Sequence, residues 1–502
     1  MDQKTSPETR CLSRLTGAAP SADCPLCTPR TDSSQKRISP QTIRTATVLA
    51  IYVGLVGLAF SVNYPGRLTP DSLDMLTQAA HPEILNDWHE PTTIGFWLLF
   101  APILGQPASA LLIQALLIFI YPAILIERTI AQRLVALPFL AAFIAALVGV
   151  TGLISKDIVS IGLILCLLAA LDVRPASGLR LWRPALLTVL IIAITLIRPP
   201  NFVLFGITAA CWVAIRRIRL RAAIPALILI CITTAASPWM VKLFDQKLLG
   251  TADARAELSL IIFDAAGISS AIQKDIFAEL TSWPTDEVQR PWHCYTPRYW
   301  DTFKSGGKCK EYWALFSNIN VRPTYWWLRS IVSHPIGYAI HRMKYAFQLV
   351  RSPMPIATWG APYAANVAFV DLSTKGIDMQ SYFQLWKPRI AHVPFEWTAA
   401  LVFSRSTLVI AVFLCLLVLI SASKVRGARG AIDSVEVAAA GIGIGNVLML
   451  VAFGVAARGA YLLPTFVCGF VIFLRRSARI AHTSLNGGFK LCGRPGAAAY
   501  HV

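Results

Sequence analysis

Two features are scarce in this sequence, namely charged side chains and nucleotide-binding motifs. Charged residues make up 15% of the 502 residues and hydrophobic residues 55%, a balance that favours a membrane protein. No P-loop, no GxGxxG turn in a strand-to-helix context, no zinc signature and no Ser-His-Asp arrangement is visible. The missing motifs argue against a nucleotide-driven mechanism.

Apolar runs of about 15 to 24 residues recur between short basic loops, as expected of helices that cross a ~30 Å hydrocarbon core. The sequence therefore predicts an all-α polytopic membrane protein with about ten transmembrane helices. The predicted spans are residues 45–62, 108–126, 134–153, 158–172, 184–198, 202–215, 222–240, 398–421, 434–456 and 459–474.

Basic residues set the orientation, because Lys and Arg near span ends remain on the cytoplasmic side. They are concentrated in the N-terminal tail, in alternate short loops and after the last span, so both termini are predicted to be cytoplasmic. The short apolar run 92–105 is interpreted as a juxtamembrane helix on the outer face. The predicted parts are a disordered cytoplasmic tail 1–44, an N-terminal transmembrane module 45–240 with a first outer loop 63–107, an outer domain 241–397, C-terminal transmembrane helices 398–474 and a cytoplasmic tail 475–502.

The formal net charge of +19 does not indicate nucleic-acid binding. The basic residues are dispersed at span ends and in the tail, where they set topology and meet anionic lipid. Membrane lipids are therefore the expected partners of these charges, and no nucleic-acid partner is expected.

The stretch YPGRLTPDSLDMLTQAAHPEILNDWHEP, residues 64–91, follows the first span directly. It contains Asp71, Asp74, Asp87, His89 and Glu90. Acids and an imidazole this close to a bilayer are costly to place without a function. The pattern therefore predicts that the first outer loop carries a functional site.

Two further patterns lie in the predicted outer domain. Cys294 and Cys309 are close together there and are predicted to form a disulfide in an oxidising compartment. The segment 334–351 predicts a helix with a basic side that includes His341 and Arg342. That helix could lie at the membrane interface with its basic side towards lipid phosphates, or pack in the domain with this side solvated.

The order of elements resembles the GT-C membrane glycosyltransferases. The likeness rests on a PDS-type aspartate after the first span, a D-W-H-x-P element, a short outer helix and a later outer Lys-Asp pair before a span. It covers roughly residues 45–240, and more faintly 458–461, and is to bacterial members of the protein-mannosyltransferase-like and lipid-modifying type. The resemblance implies a polyprenyl-phosphate-linked sugar as donor, a cell-envelope glycan or lipid as acceptor, and a site on the periplasmic face of the bacterial inner membrane.

The resemblance also implies catalytic residues. Asp71 matches the family's first-loop acid, a general base or metal ligand, and Asp157 resembles the second-loop acid that faces it. His89 and Glu90 resemble a His-Pro-Pro element in which Glu90 replaces the first proline. Asp71 and Asp157 are also the candidate metal ligands, and a requirement for Mg²⁺ or Mn²⁺ is left open.

Three cations are candidates for binding the donor phosphate, namely Lys156, Arg198 and Arg458. Glycosyl transfer needs a base for the acceptor proton and cations that stabilise the departing phosphate. Structural explanations remain open beside these roles: Asp71 could cap a helix, Lys156 and Asp157 could pair at a loop, and Arg458 could extend towards the interface.

Two other functions are also open. A transporter or flippase of a lipid-linked glycan would place charges at mid-bilayer and show repeated halves, whereas the middles of the predicted spans here are nearly free of charge. An envelope polysaccharide polymerase or ligase would also be polytopic with a large outer loop, and the sequence separates this class poorly.

Overall fold

The computed structural model describes residues 39–131, 136–173, 182–198, 201, 242–280, 290–304, 307–318, 322–351, 393–424, 433–456 and 459–491. Within these ranges every regular element is a helix, and β-type pairing is confined to isolated bridges. The protein is an α-helical membrane protein, in agreement with the sequence. Its contacts divide the chain into two units, Met1–Thr45 and Ala46–Val502. Most of the predicted tail, residues 1–38, lies outside the described residues.

The helices of the described ranges are numbered in chain order. The α-helices are α1 (Pro40–Asn63), α2 (Pro70–Ala80), α3 (Pro91–Leu98), α4 (Ala101–Leu104), α5 (Ala108–Ile118), α6 (Ile120–Ala131), α7 (Leu137–Thr151), α8 (Lys156–Asp172), α9 (Trp182–Ile197), α10 (Glu257–Ile272), α11 (Pro291–Cys294), α12 (Glu311–Asn318), α13 (Pro323–Ser333), α14 (Pro335–Arg351), α15 (Val393–Val402), α16 (Arg405–Lys424), α17 (Ser434–Phe453) and α18 (Leu463–Leu491). Short 3₁₀ helices span Pro82–Ile84, Ile276–Glu279, Asp301–Phe303 and Gly459–Leu462, and a π-helix spans Leu243–Leu248.

Among the described residues, three helical stretches are long and apolar enough to cross a membrane, namely Gln41–Asn63, Ala108–Ile130 and Ser434–Phe453. The pair Pro394–Val402 and Arg405–Ser421, bent by 50°, gives a fourth if it is one span. Shorter apolar helices lie at two more predicted spans, 134–153 and 184–198. The predicted spans 202–215 and 222–240 fall outside the described residues, so the number ten stays a prediction.

The first outer loop is joined to the start of α8 through backbone hydrogen bonds. The Arg67 N–H donates to the carbonyl of Gly152 at 2.7 Å, and the Ile154 N–H donates to the carbonyl of Arg67 at 2.9 Å. Gly66, at φ 109°, lets the chain pass Ile154, since a Cβ there would lie 2.7 Å from the Ile154 side chain. The loop before α8 is therefore fixed against the loop before α2.

The ends of these two helices are capped locally. Thr69 caps α2 through a capping box with Ser72, and Pro70 occupies the first turn. The cap of α2 is thus Thr69, and the alternative in which Asp71 caps the helix is wrong. Ser155 caps α8 by accepting a hydrogen bond from the Asp157 N–H.

Two predicted boundaries differ from the structure. The apolar run 92–105 is divided between α3 and α4, with Trp97 buried and Ile103 80% exposed. The helix that contains the last predicted span does not end at residue 474, because α18 continues to Leu491. Arg475, just after the predicted end, pairs with Asp172 at 2.7 Å and so belongs to the packed helices.

The sequence places the basic side of α14 in solvent or at lipid phosphates, and this is wrong for His341 and Arg342, although Lys344 and Arg351 are exposed. His341 and Arg342 are buried, whereas Ile336 and Phe347 are exposed. The reason is a carboxylate from another helix, Asp264 of α10, which lies 2.8 Å from the His341 Nε2 atom and 2.5 Å from an Arg342 nitrogen. A buried cation is tolerated only with such a partner.

Cys294 and Cys309 form a disulfide that closes a loop with a sequence separation of 15 residues. A bridge over such a loop contributes ~3 kcal/mol by restricting the unfolded chain. When the protein is denatured without reductant and treated with a maleimide, mass spectrometry should find these two cysteines unlabelled, and labelled after reduction. Cys166, a free buried cysteine, is the matched control and should label in both samples. Labelling of Cys294 before reduction would contradict the bridge.

Candidate functional site

The acidic first outer loop meets the first turn of α8 through an ion pair. The Lys156 Nζ atom lies 2.7 Å from a carboxylate oxygen of Glu90, and both side chains are largely buried. The charges of Asp157 and Asp71 also act on the Lys156 ammonium group. Lys156 therefore contacts Glu90 and lies within electrostatic range of Asp71 in the first turn of α2 and Asp157 in the first turn of α8.

A second ion pair lies beside the first. An Arg198 nitrogen is 2.8 Å from the Asp157 Oδ1 atom, and both side chains are largely buried. The Arg198 guanidinium also lies 4.7 Å from the centre of the Tyr461 ring, a distance typical of a cation–π contact. Arg198 follows α9 and Tyr461 lies between α17 and α18, so segments distant in sequence meet at this point.

The structure thus brings together five of the predicted site residues: Asp71, Glu90, Lys156, Asp157 and Arg198. Arg458 lies outside the described residues. The same predicted element, residues 458–461, includes Tyr461, whose ring contacts Arg198.

His89 makes its ion pair elsewhere. Its Nε2 atom is 3.2 Å from a carboxylate oxygen of Asp74 on α2, and the same oxygen accepts a hydrogen bond from Gln78. Gln78 in turn accepts the Asn86 backbone N–H. This chain of contacts fastens α2 to the loop after it. His89 is therefore oriented towards α2 through Nε2, and its catalytic role stays a prediction.

The described residues do not fit a metal site. No group of three or more His, Cys, Asp and Glu side chains in the described ranges is arranged to hold an ion. Asp157, one of the two predicted ligands, is instead paired with the Arg198 cation. We therefore derive no chemical step through a metal.

Asp245 is a further carboxyl group that the sequence reasoning missed. It lies in the π-helix Leu243–Leu248, it is buried, and its Oδ1 atom has no hydrogen-bond partner among the described residues. Burial, and then the charges of Glu90 and Asp87, raise the pKa of Asp245 to about 7. The sequence does contain a signal for Asp245, because it is an isolated acid just after the predicted span 222–240. Arg198 is a candidate from a similar position at the end of a predicted span.

The segment of Asp245 is fixed to the first outer loop by backbone contacts. The Asp87 N–H donates to the carbonyl of Ala252, and the Ala252 N–H donates to the carbonyl of Leu85. The Asp87 carboxylate accepts the Ala254 N–H at 2.6 Å. The Asp87 carboxylate therefore has a structural role as a hydrogen-bond acceptor, whereas the Asp245 Oδ1 atom has no donor among the described residues.

A buried polar cluster in the outer domain supports the segment that carries Tyr461. Asp264 accepts hydrogen bonds from His341 and from the Trp327 indole, and the Tyr295 hydroxyl bonds to the other nitrogen of His341. Burial lowers the pKa of His341, although Asp264 opposes the shift. A neutral imidazole fits this arrangement, with Nε2–H donating to Asp264 and Nδ1 accepting from Tyr295.

Two residues of α14 extend this support to the end of α17. Arg342 donates to the carbonyl of Gly454 at 2.7 Å, and the Tyr345 hydroxyl donates to the carbonyl of Ala456 at 3.0 Å. These residues follow α17 and precede the turn of Tyr461. Helix α14 thus holds the residues Gly454 and Ala456, which precede the turn that contains Tyr461.

No family model, curated protein or solved structure matches this chain. Its function therefore has to be inferred from the chemistry of the site. Two cations held by carboxylates at the ends of apolar helices can bind an anion such as a phosphate, since each has more N–H donors than one carboxylate uses.

The Asp245→Asn variant is expected to unfold at a higher temperature than wild type at pH 8 and at the same temperature at pH 4. The raised pKa means that wild-type stability from this group is complete below about pH 4 and is lost as pH rises through about 7. Asparagine remains neutral and avoids that loss. Differential scanning fluorimetry of both proteins across this range measures the effect.

The matched control is Asp253→Asn, in the same segment. The Asp253 carboxylate is 3.1 Å from the Lys242 ammonium group, and its pKa is lowered, so this variant should gain nothing at pH 8. An equal temperature difference for Asp245→Asn at pH 4 and pH 8 would contradict the raised pKa.

Proposed function

We propose that the protein is a membrane glycosyltransferase of the GT-C type. It moves a sugar from a polyprenyl-phosphate donor to a glycan or lipid of the cell envelope. The reaction takes place on the outer, periplasmic face of the bacterial inner membrane. The proposal combines the sequence resemblance with the grouping of charges in the site.

The observation that carries the proposal is the pair of adjacent ion pairs, Lys156–Glu90 and Arg198–Asp157. Four charged side chains that are largely buried beside apolar helices are costly unless paired. A lipid phosphate is an anion that reaches its enzyme from the bilayer. Cations held at the ends of membrane helices are well suited to receive it.

The chemical step needs a base and a stabilised leaving group. The acceptor oxygen forms a bond to the anomeric carbon of the sugar while the bond from that carbon to the phosphate oxygen breaks. The acceptor proton passes to the carboxylate of Asp71, and the lipid phosphate leaves with the electron pair. Lys156 and Arg198 stabilise its charge. A single displacement of this kind inverts the anomeric configuration.

The proposed topology has ten crossings and cytoplasmic termini. Reporter fusions after residues 75, 157 and 300 are then expected to show an external location. Fusions after 130, 180, 218 and 427 should show a cytoplasmic one, because the basic loops are retained there. Paired alkaline phosphatase and green fluorescent protein fusions measure the side at each position. A cytoplasmic result at 75 would place the acids on the wrong face and refute the proposed site.

The Asp71→Asn variant is expected to lower turnover by ~10²-fold or more, because it removes the base and retains the size of the side chain. The assay uses purified protein in liposomes that contain an extract of cell-envelope lipids and glycans as acceptor, with a panel of polyprenyl-phosphate hexoses and pentoses as donors and release of polyprenyl phosphate as the readout.

Glu83→Gln is the matched control, since Glu83 is an exposed acid of the same loop, and it should retain full activity. Wild-type turnover by Asp71→Asn would remove Asp71 from the mechanism. Movement of labelled lipid across the liposome membrane without release of polyprenyl phosphate would contradict the transferase and favour the flippase.

A further inference from the structure

We propose that Asp245 binds a hydroxyl group of the sugar carried by the lipid donor, next to the cations that hold the phosphate. The inference rests on the proposed function and assigns a sugar-recognition residue to the same site. It concerns a carboxyl group from a segment outside the GT-C-like region, residues 45–240.

The first argument is the state of the carboxyl group. Asp245 is only 2% exposed, and its Oδ1 atom has no partner among the described residues. A buried polar atom left without a hydrogen bond is costly, so it needs an explanation. A π-helix of a single turn, such as Leu243–Leu248, is itself frequent at functional sites.

The second argument is that other buried polar atoms in the two joined segments, the one after the π-helix and the one that contains Glu90, also have no partner among the described residues. The Thr251 N–H donates to the Asp245 carbonyl, and the buried Thr251 hydroxyl has no partner in the described ranges. The buried hydroxyls of Thr92 and Thr93, which follow Glu90 in the sequence, also have no partner in the described ranges. These groups offer donors and acceptors of the kind that a polyhydroxylated ligand satisfies.

The third argument is the order of charges. Glu90 contacts Lys156, and its charge also acts on Asp245. In the proposed complex, the sugar attached to a phosphate at Lys156 extends towards Asp245. The residues here do not form a metal-binding group, which favours a neutral hydroxyl over a cation as the ligand.

The protonation of Asp245 fits this ligand. Its pKa of about 7 leaves the group partly protonated at neutral pH. A carboxyl group in that state can either accept a hydrogen bond from a hydroxyl or donate one to it. It also adds little repulsion towards the nearby phosphate.

Binding of two kinds of lipid, with and without a sugar, by the full-length protein in nanodiscs tests the proposal. The probes are undecaprenyl phosphate and the same lipid carrying mannose, glucose or arabinose, measured by microscale thermophoresis. Asp245→Asn should weaken binding of the preferred sugar-bearing lipid ~10-fold, as expected for loss of a hydrogen bond to a carboxylate. Binding of undecaprenyl phosphate should stay within about twofold of wild type.

Two further variants make the result specific. Lys156→Gln should weaken binding of both lipids, because the phosphate is common to them, and Asp253→Asn should weaken neither. Equal weakening of both lipids by Asp245→Asn, or no weakening of either, would overturn the sugar-binding role. A wild-type protein that binds neither lipid would instead overturn the proposed function.

Discussion

The pairing of buried charges is the constraint on which the rest of the structure depends. An ion among apolar helices is stable only beside an opposite charge, and in this protein the partners come from distant parts of the chain. Glu90 and Lys156 are 66 residues apart, and Asp172 and Arg475 are 303 residues apart. Each pair therefore favours one arrangement of the helices and brings charged groups together at helix ends.

Much of the site could be predicted from the sequence because its signals are local. Lys156, Asp157 and Arg198 are charged residues at the ends of apolar runs, where a charge is either a topology signal or part of a site. The helical class follows from the same runs and is confirmed by the described helices. The ion pairs Lys156–Glu90 and Arg198–Asp157, however, are tertiary facts that no spacing encodes.

The remaining features depend on partners that are far away in sequence. Nothing in its own segment marks Asp245 as unusual. Its raised pKa comes from burial and from the charges of Glu90 and Asp87. Asp87 is close because its carboxylate contacts Gln246, 159 residues further along the chain. The orientation of α14 was wrong for the same reason. Periodicity gives the two sides of a helix, but which side is buried depends on where a carboxylate such as Asp264 lies.

The hydrogen bonds from Arg342 and Tyr345 to the carbonyls of Gly454 and Ala456 tie α14 to the residues that follow α17. Tyr461, a few residues further along the chain, contacts the Arg198 guanidinium through its ring. Under the proposed function, an acceptor that shifts α14 would alter the affinity for the donor headgroup through these contacts, and by linkage the donor would alter the affinity for the acceptor.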